Sequence, residues 1–114
     1  MFELGVLYHV EQDFDNSIKW YTKAAKKGNI QAMNLLGHLY YFGDGVDEDF
    51  REAGKWYTKS ASKGNPNAMF QLGNMYYYGH GVEKDLAQAR QWYEKAAEKG
   101  HETAKQSIEY LDNQ

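Results

Sequence analysis

Residues 32–65 read AMNLLGHLYYFGDGVDEDFREAGKWYTKSASKGN, and residues 68–101 read AMFQLGNMYYYGHGVEKDLAQARQWYEKAAEKGH, so one pattern occurs twice with a shift of 36 positions. A period of this size is typical of solenoid proteins, in which each unit buries its apolar face only by stacking on a neighbour. We therefore expect function to reside in a surface of the protein and not in an enclosed pocket.

A third copy precedes these two and is shorter. Gly5 lies 15 positions before Trp20, whereas Gly37 lies 19 positions before Trp56, so four residues are missing. They are missing from the segment that reads Gly-Asp-Gly at 43–45. Surface loops tolerate such changes of length and helices do not. Each copy is therefore predicted to be two helices joined by this loop.

Length and composition limit the possible functions. The chain has 114 residues, of which 42% are hydrophobic and 16% aromatic, which suits one domain of three repeats. It has no cysteine, which excludes disulfides and thiolate metal sites. A net charge of −3 argues against nucleic-acid binding, because that requires clustered Lys and Arg. There is no signal sequence or long apolar run, so no membrane partner is predicted, and if Met1 is the natural start we expect a cytoplasmic protein.

The first helix of a unit has clear start and stop signals. Asn65 is a candidate N-cap, and Pro66 suits the first helical position. Gly79 and Gly81 are expected to end the helix, because glycine adopts positive φ without steric penalty. A glycine also recurs in the middle of this helix, as Gly73 in the third copy, and is predicted to give the Trp-Tyr pair of the partner helix room to pack.

The second helix is amphipathic. Asp85 followed by Gln88 resembles a capping box at its start. A stripe at helical spacing predicts its buried face; it consists of Ala89, Trp92, Tyr93, Ala96 and Ala97.

The third copy carries a family resemblance across its length, in the pattern Ala68…Leu72-Gly73…Tyr76…Gly79-x-Gly81-Val82…Asp85…Ala89…Trp92-Tyr93-x-Lys95-Ala96-Ala97…Gly100. This pattern resembles the Sel-one-like repeat of the tetratricopeptide-repeat superfamily. The resemblance implies an all-α fold, a right-handed α-solenoid of about three helix-turn-helix repeats. It also implies a non-enzymatic adaptor or scaffold whose first helices line a concave groove. We assign one domain, 1–114, with repeats at about 1–29, 30–65 and 66–101 and a C-terminal capping helix at about 103–111.

Enzymatic and metal-dependent functions find no support in the sequence. The four histidines share no spacing and form no His-Glu-x-x-His motif. Gly79-His80-Gly81 follows a predicted helix instead of a strand, so it does not match a dinucleotide-binding loop. We therefore predict no catalytic residue, no metal and no cofactor.

The candidate binding surface is the side of the first helices that the core does not use. Its members lie at i, i+4 and i+7 in each copy, and their identities vary between copies while the core positions stay alike. The predicted protein-binding residues are Phe2, Val6, His9, Asn34, His38, Tyr41, Phe70, Asn74 and Tyr77. The alternative is that the aromatic members pack between neighbouring repeats.

The leading interpretation is a protein-binding or peptide-binding adaptor or scaffold. A spacer or a fragment of a longer array, whose groove contacts nothing, is one alternative. A small bacterial inhibitor or immunity-type protein that blocks an enzyme is another. The sequence makes no prediction of oligomeric state.

Overall fold

The structure is a computed structural model that describes all 114 residues and contains seven α-helices and no strand. The helices are α1 Phe2–Val10, α2 Phe14–Lys26, α3 Ile30–Phe42, α4 Phe50–Ser62, α5 Pro66–Tyr78, α6 Leu86–Glu98 and α7 Glu102–Asp112. The chain forms two compact units, Met1–Trp56 and Tyr57–Gln114, and the boundary between them falls within α4. The predicted all-α class, with three helix pairs followed by a further helix, is confirmed.

The first helices begin and end at the predicted residues. Asn65 caps α5 by accepting a hydrogen bond from the N–H of Ala68 at 3.0 Å, and Pro66 is the first residue of the helix. Gly79 ends α5 in the left-handed conformation, at φ 72° and ψ 38°. A residue with a Cβ is strained in this conformation, which explains why glycine follows the last turn.

The second helices begin with half of the predicted capping box. The carboxylate of Asp85 accepts a hydrogen bond from the N–H of Gln88 at 3.1 Å, as predicted. The N–H of Asp85, however, donates to the carbonyl of Tyr76 at 3.0 Å, so it is occupied by the preceding helix and not by a glutamine side chain. The same backbone bond runs from Asp13 to Tyr8 at 2.8 Å and from Asp49 to Tyr40 at 2.8 Å.

In the first and third repeats, the glycine in the middle of the first helix makes room for a tyrosine of the second helix. A Cβ on Gly73 would lie 2.6 Å from Cδ1 of Tyr93, and one on Gly5 would lie 2.5 Å from Cδ1 of Tyr21. The packing reason for these glycines is confirmed, but its partner is the tyrosine of the Trp-Tyr pair alone. Trp92 is half-buried beside its helix, with the Lys95 ammonium 4.5 Å from its ring centroid.

Each unit has its own core. In the N-terminal unit, small and aromatic residues of α2 pack against α3 in a cluster that includes Tyr21, Ala24, Ala25, Met33, Leu36 and Leu39. In the C-terminal unit, Ala89, Tyr93 and Ala96 are the buried members of the α6 stripe, while Trp92 and Ala97 are half-buried. The alternation of bulky and small side chains lets the helix axes approach closely.

The C-terminal helix α7 is anchored at both ends. At its start, Nδ1 of His101 accepts a hydrogen bond from the N–H of Ala104 at 3.1 Å, and the imidazole stacks on Phe70 at 4.6 Å. At its end, Asp112 forms an ion pair with Arg90 of α6. This anchoring sets α7 beside α5 and α6 and creates the cleft between them.

Candidate functional site

The C-terminal unit contains a cleft of about 330 Å³, which we call the tyrosine cleft. Residues of α5, α6 and α7 line it: Asn74, Tyr77, Tyr78, Tyr93, Thr103, Gln106, Ser107 and Tyr110. None of these side chains is a carboxylate or a basic group. The cleft therefore offers aromatic faces, hydroxyls and amides without a formal charge.

A partly buried hydrogen bond fixes the inner wall of the tyrosine cleft. The phenol of Tyr93 donates to Oδ1 of Asn74 at 2.7 Å, and only 3% of Tyr93 is exposed. The amide nitrogen of Asn74 lies 3.4 Å from Oε1 of Gln71 on the same helix. Because both ends of the Asn74 amide have partners in the unit, its orientation is set before any ligand arrives.

The outer wall of the tyrosine cleft is built from rings that face solvent. Tyr78 is 61% exposed and Tyr110 is 57% exposed. The Tyr77 ring lies edge-on to Tyr78, with centroids 4.9 Å apart. Desolvation raises the pKa of the Tyr77 phenol, and the neighbouring phenol of Tyr110 raises it further. The neutral form of the Tyr77 phenol is thus favoured, and it can donate and accept hydrogen bonds.

The residues predicted on α5 are not all in the tyrosine cleft. Asn74 and Tyr77 line it, whereas Phe70 lies against His101, at 4.6 Å, and Tyr93, at 5.7 Å. The structure therefore places Phe70 in the packing that supports α7.

The residues predicted on α3 lie in a second aromatic cluster, in the N-terminal unit. His38 is exposed, and its ring centroid lies 4.7 Å from that of Phe42, which is 56% exposed. Tyr41 is only 8% exposed and packs against Phe42 and Phe50, at 4.9 and 5.1 Å. Asn34 is half-buried. The solvent-facing part of this cluster, which we call the His38 patch, is the pair His38 and Phe42.

The residues predicted on α1 have mixed environments. Phe2 packs on Tyr21 with ring centroids 5.7 Å apart. His9 lies edge-on to Phe14 at 5.6 Å, and its Nδ1 is buried without a hydrogen-bond partner. Val6 is 39% exposed. Of the three, Val6 is the residue that a partner could contact most directly.

Sequence reasoning missed three exposed aromatic residues of these surfaces: Phe42, Tyr78 and Tyr110. Phe42 and Tyr78 are separated by the repeat shift of 36, and a search for aromatic residues at this shift would have found them. Tyr110 follows Asn74 by the same shift, so the repeat alignment extended into α7 would have placed it on the same side of the helix.

Two further findings concern chemistry and membranes. No group of three or more His, Asp or Glu side chains lies close enough together to hold a metal ion. None of the seven helices is both long and apolar enough to cross a membrane.

Comparison with known proteins adds a family match. A family model described as Sel1 repeat matches residues 1–29, 30–65 and 66–101. No curated protein matches the chain at a significant level.

Three solved structures are similar to the chain. A Sel1 repeat protein from Oxalobacter formigenes has 32% identity and a TM-score of 0.87, over 97% of this chain and 46% of that one. The protein c5321, a protective antigen present in uropathogenic Escherichia coli strains, has 37% identity and a TM-score of 0.91, over 96% and 24%. Cysteine rich protein B of Helicobacter pylori has 30% identity and a TM-score of 0.73, over 79% and 68%. The chain thus spans less than half the length of the first two.

Proposed function

This chain belongs to the Sel1 repeat family, and we propose on that basis that it binds a protein or peptide partner as a non-catalytic adaptor or scaffold. Proteins of this family typically serve as protein-interaction scaffolds and are generally non-catalytic. For this chain we further propose that the partner binds to the sides of the first helices that carry the predicted residues.

The observation that carries the proposal is the tyrosine cleft. Tyrosine is enriched among the residues that dominate binding energy, since its ring buries a large apolar area and its hydroxyl still forms a hydrogen bond. Tyr78 and Tyr110 expose their rings, while the Asn74 amide behind them is held in place by Tyr93. An amide of fixed orientation, with exposed tyrosine rings in front of it, suits a peptide segment.

The size and charge of the tyrosine cleft narrow the kind of segment that it fits. A volume of about 330 Å³ lies at the lower end of ligand sites, which span roughly 300–1,000 Å³. It therefore suits one or two side chains of a peptide and not a whole folded surface. Since no charged side chain lines the cleft, we propose that an uncharged stretch of the partner enters it.

The nine predicted residues then fall into two proposed roles. Val6, His38, Asn74 and Tyr77 are the direct contacts that we propose for the partner. The others are proposed to support these contacts by packing; they are Phe2, His9, Asn34, Tyr41 and Phe70.

The experiment is affinity capture of the native partner with matched variants. We expect Tyr77→Ala with Tyr110→Ala to weaken binding at least ~30-fold, because truncating two central aromatic residues removes about 2 kcal/mol or more. Leu86→Ala is the control, since Leu86 is 45% exposed in the same unit but outside the tyrosine cleft.

The variants must keep the melting curve of the parent for the comparison to hold. A partner that binds the tyrosine variant as tightly as the parent would contradict the assignment to the tyrosine cleft. A parent chain that captures no partner would favour the spacer alternative.

A further inference from the structure

Tyr78, the most exposed tyrosine of the tyrosine cleft, lies at a repeat position that stays exposed when further repeats follow it. Tyr78 is 61% exposed and corresponds to Phe42 by the shift of 36. Four helices follow Phe42 in the chain, and Phe42 is nevertheless 56% exposed. The last residue of a first helix is therefore a surface position in the middle of the repeats as well as in the third one.

The helical surroundings of the tyrosine cleft limit how a peptide can bind there. Addition of a strand requires an open sheet edge, and the structure has no strand. A docked amphipathic helix is held by side chains at i, i+4 and i+7, which span roughly 10 Å, whereas a cleft of about 330 Å³ holds one or two side chains. An acidic or phosphorylated segment requires basic groups, and no basic side chain lines the cleft. The recognition mode that fits uncharged aromatic rings is a segment in the polyproline II conformation.

The geometry of two rings suits the side chain of a proline. Tyr77 and Tyr78 lie with their ring centroids 4.9 Å apart and their planes at 81°, so they form two adjoining walls at nearly a right angle. A proline presents a compact apolar ring that packs on such flat surfaces. Because its φ angle is fixed, it also loses little conformational freedom when it binds.

The hydrogen-bonding groups of the tyrosine cleft favour proline as well. Oδ1 of Asn74 already accepts a hydrogen bond from the Tyr93 phenol. The Ser107 hydroxyl donates to the Thr103 carbonyl at 3.1 Å. Most residues would bring a backbone N–H that needs an acceptor when it is buried. Proline brings a carbonyl and no N–H, so it needs only a donor, such as the phenol of Tyr78.

A cationic ligand, the other class that tyrosine rings attract, is less well suited to the tyrosine cleft. The ammonium of Lys84 already lies 6.0 Å from the centroid of the Tyr77 ring. No carboxylate lines the cleft to offset the charge of a second cation. These two observations favour an uncharged segment over a cation.

We propose that the tyrosine cleft binds a proline-containing segment of the partner in the polyproline II conformation. The ring of one proline packs against Tyr77 and Tyr78, and its carbonyl accepts a hydrogen bond from a side chain of the cleft. This binding mode rests on the proposed function, since it specifies the segment that enters the same cleft.

The test uses the full chain and two peptides with blocked ends, hexaproline and hexaalanine, each flanked by glycines. Both peptides are uncharged and equally long, but only hexaproline has rings and lacks N–H groups in its central part. Isothermal titration calorimetry should show saturable binding of one hexaproline peptide per chain. We expect hexaproline to bind at least ~10-fold more tightly than hexaalanine, because its bound conformation is already formed in solution.

Matched variants identify the surface that hexaproline contacts. Tyr78→Ala should weaken its binding at least ~10-fold, because one of the two ring walls is lost. Tyr78→Phe keeps this wall and removes only a hydroxyl, so its effect should be smaller. Leu86→Ala is the control, since Leu86 is 45% exposed in the same unit but outside the cleft. If Tyr78→Ala lowers the melting temperature, Tyr110→Ala, at a ring that is 57% exposed, gives a second test.

Four outcomes would overturn the proposal. The first is that hexaproline shows no saturable binding to the parent chain. The second is that hexaalanine binds as tightly as hexaproline. The third is that Tyr78→Ala and Tyr110→Ala both bind hexaproline as tightly as the parent. The fourth is that choline binds saturably and hexaproline does not, because the ligand would then be a cation.

Failure of this binding mode is distinguishable from failure of the proposed function. If hexaproline does not bind, but Tyr77→Ala with Tyr110→Ala still weakens capture of the native partner, the partner uses the tyrosine cleft and only the proline assignment is wrong.

Discussion

The phenol of Tyr93 on α6 donates a 2.7 Å hydrogen bond to the Asn74 amide on α5. The bond joins a core position of the second helix to a predicted binding residue of the first. Tyr93 also lies over Gly73, so one side chain fills the space above the glycine and orients the neighbouring amide. Packing and the candidate binding surface therefore depend on the same residue.

Tyr93→Phe is expected to destabilise the chain by about 0.5–1.5 kcal/mol, because it removes one hydrogen bond and keeps the ring. Asn74 would lose the partner that sets its orientation, so partner binding should weaken even in variants that remain folded. Urea denaturation followed by circular dichroism measures the first effect. An unchanged unfolding free energy would show that solvent replaces the phenol without loss.

Gly73→Ala should destabilise the chain although alanine is the better helix former. Alanine gains ~1 kcal/mol of helix propensity over glycine, but the new Cβ would lie 2.6 Å from two carbons of the Tyr93 ring. Overpacking of this kind costs about 1–3 kcal/mol, so we expect a net loss. Asn67→Ala, at an exposed position of α5, is the control for propensity alone. A melting temperature that rises in both variants would show that the ring moves aside freely.

Ser17→Ala is expected to stabilise the chain by about 1 kcal/mol, because a buried hydroxyl without a partner is unfavourable. Ser17 is 0% exposed and its Oγ makes no hydrogen bond. The equivalent positions hold Ala53 and Ala89, both 0% exposed. Ser62→Ala is the comparison, because it brings the same gain in helix propensity but removes an exposed hydroxyl that has a partner, the Lys59 carbonyl at 2.7 Å. Thermal unfolding of both variants separates the two effects, and equal shifts would contradict the argument from burial.

Stability should fall as the pH rises above about 10, the ordinary pKa of tyrosine. Burial raises the pKa of the Tyr21 phenol, and burial together with the charges of Glu52 and Asp49 raises that of Tyr40. The folded chain then holds these protons more tightly than the unfolded chain, so its stability decreases with pH once the unfolded phenols ionise. Melting temperatures measured across this range test the effect. Tyr40→Phe should reduce the slope, and an unchanged slope would exclude Tyr40 as a source.

The parts of the fold that follow from local signals were predictable from the sequence. Asn65, Pro66 and Gly79 define the ends of α5 through interactions within one or two turns, and all three have the predicted roles. Predicting which residue packs on Gly73 required more than local signals. Trp92 and Tyr93 are adjacent and differ by 100° around the helix, so the choice between them depends on how α5 and α6 cross.

The candidate site was predictable only in part, for a related reason. Asn74 and Tyr77 were found because they share a helix face, but the tyrosine cleft also requires Tyr110, which α7 brings to them. Tyr41 lies at the repeat position of Tyr77, yet it is 8% exposed because Phe42 and Phe50 cover it. Periodicity identifies equivalent positions, whereas their exposure depends on the neighbours that each copy happens to have.

The backbone bond from the aspartate that begins each second helix to the tyrosine carbonyl of the helix before it has a consequence for how such chains can vary. Asp13 follows Tyr8 by five positions in the sequence, and Asp49 follows Tyr40 by nine. The hydrogen bond from the aspartate N–H to the tyrosine carbonyl nevertheless measures 2.8 Å in both pairs. The loop between the two bonded groups can thus differ in length while the hydrogen bond that joins the two helices stays the same. Evolution, or a protein engineer grafting an epitope, can therefore lengthen or shorten this loop while the helical frame is retained, provided that contacts such as that of Val46 with the core are kept.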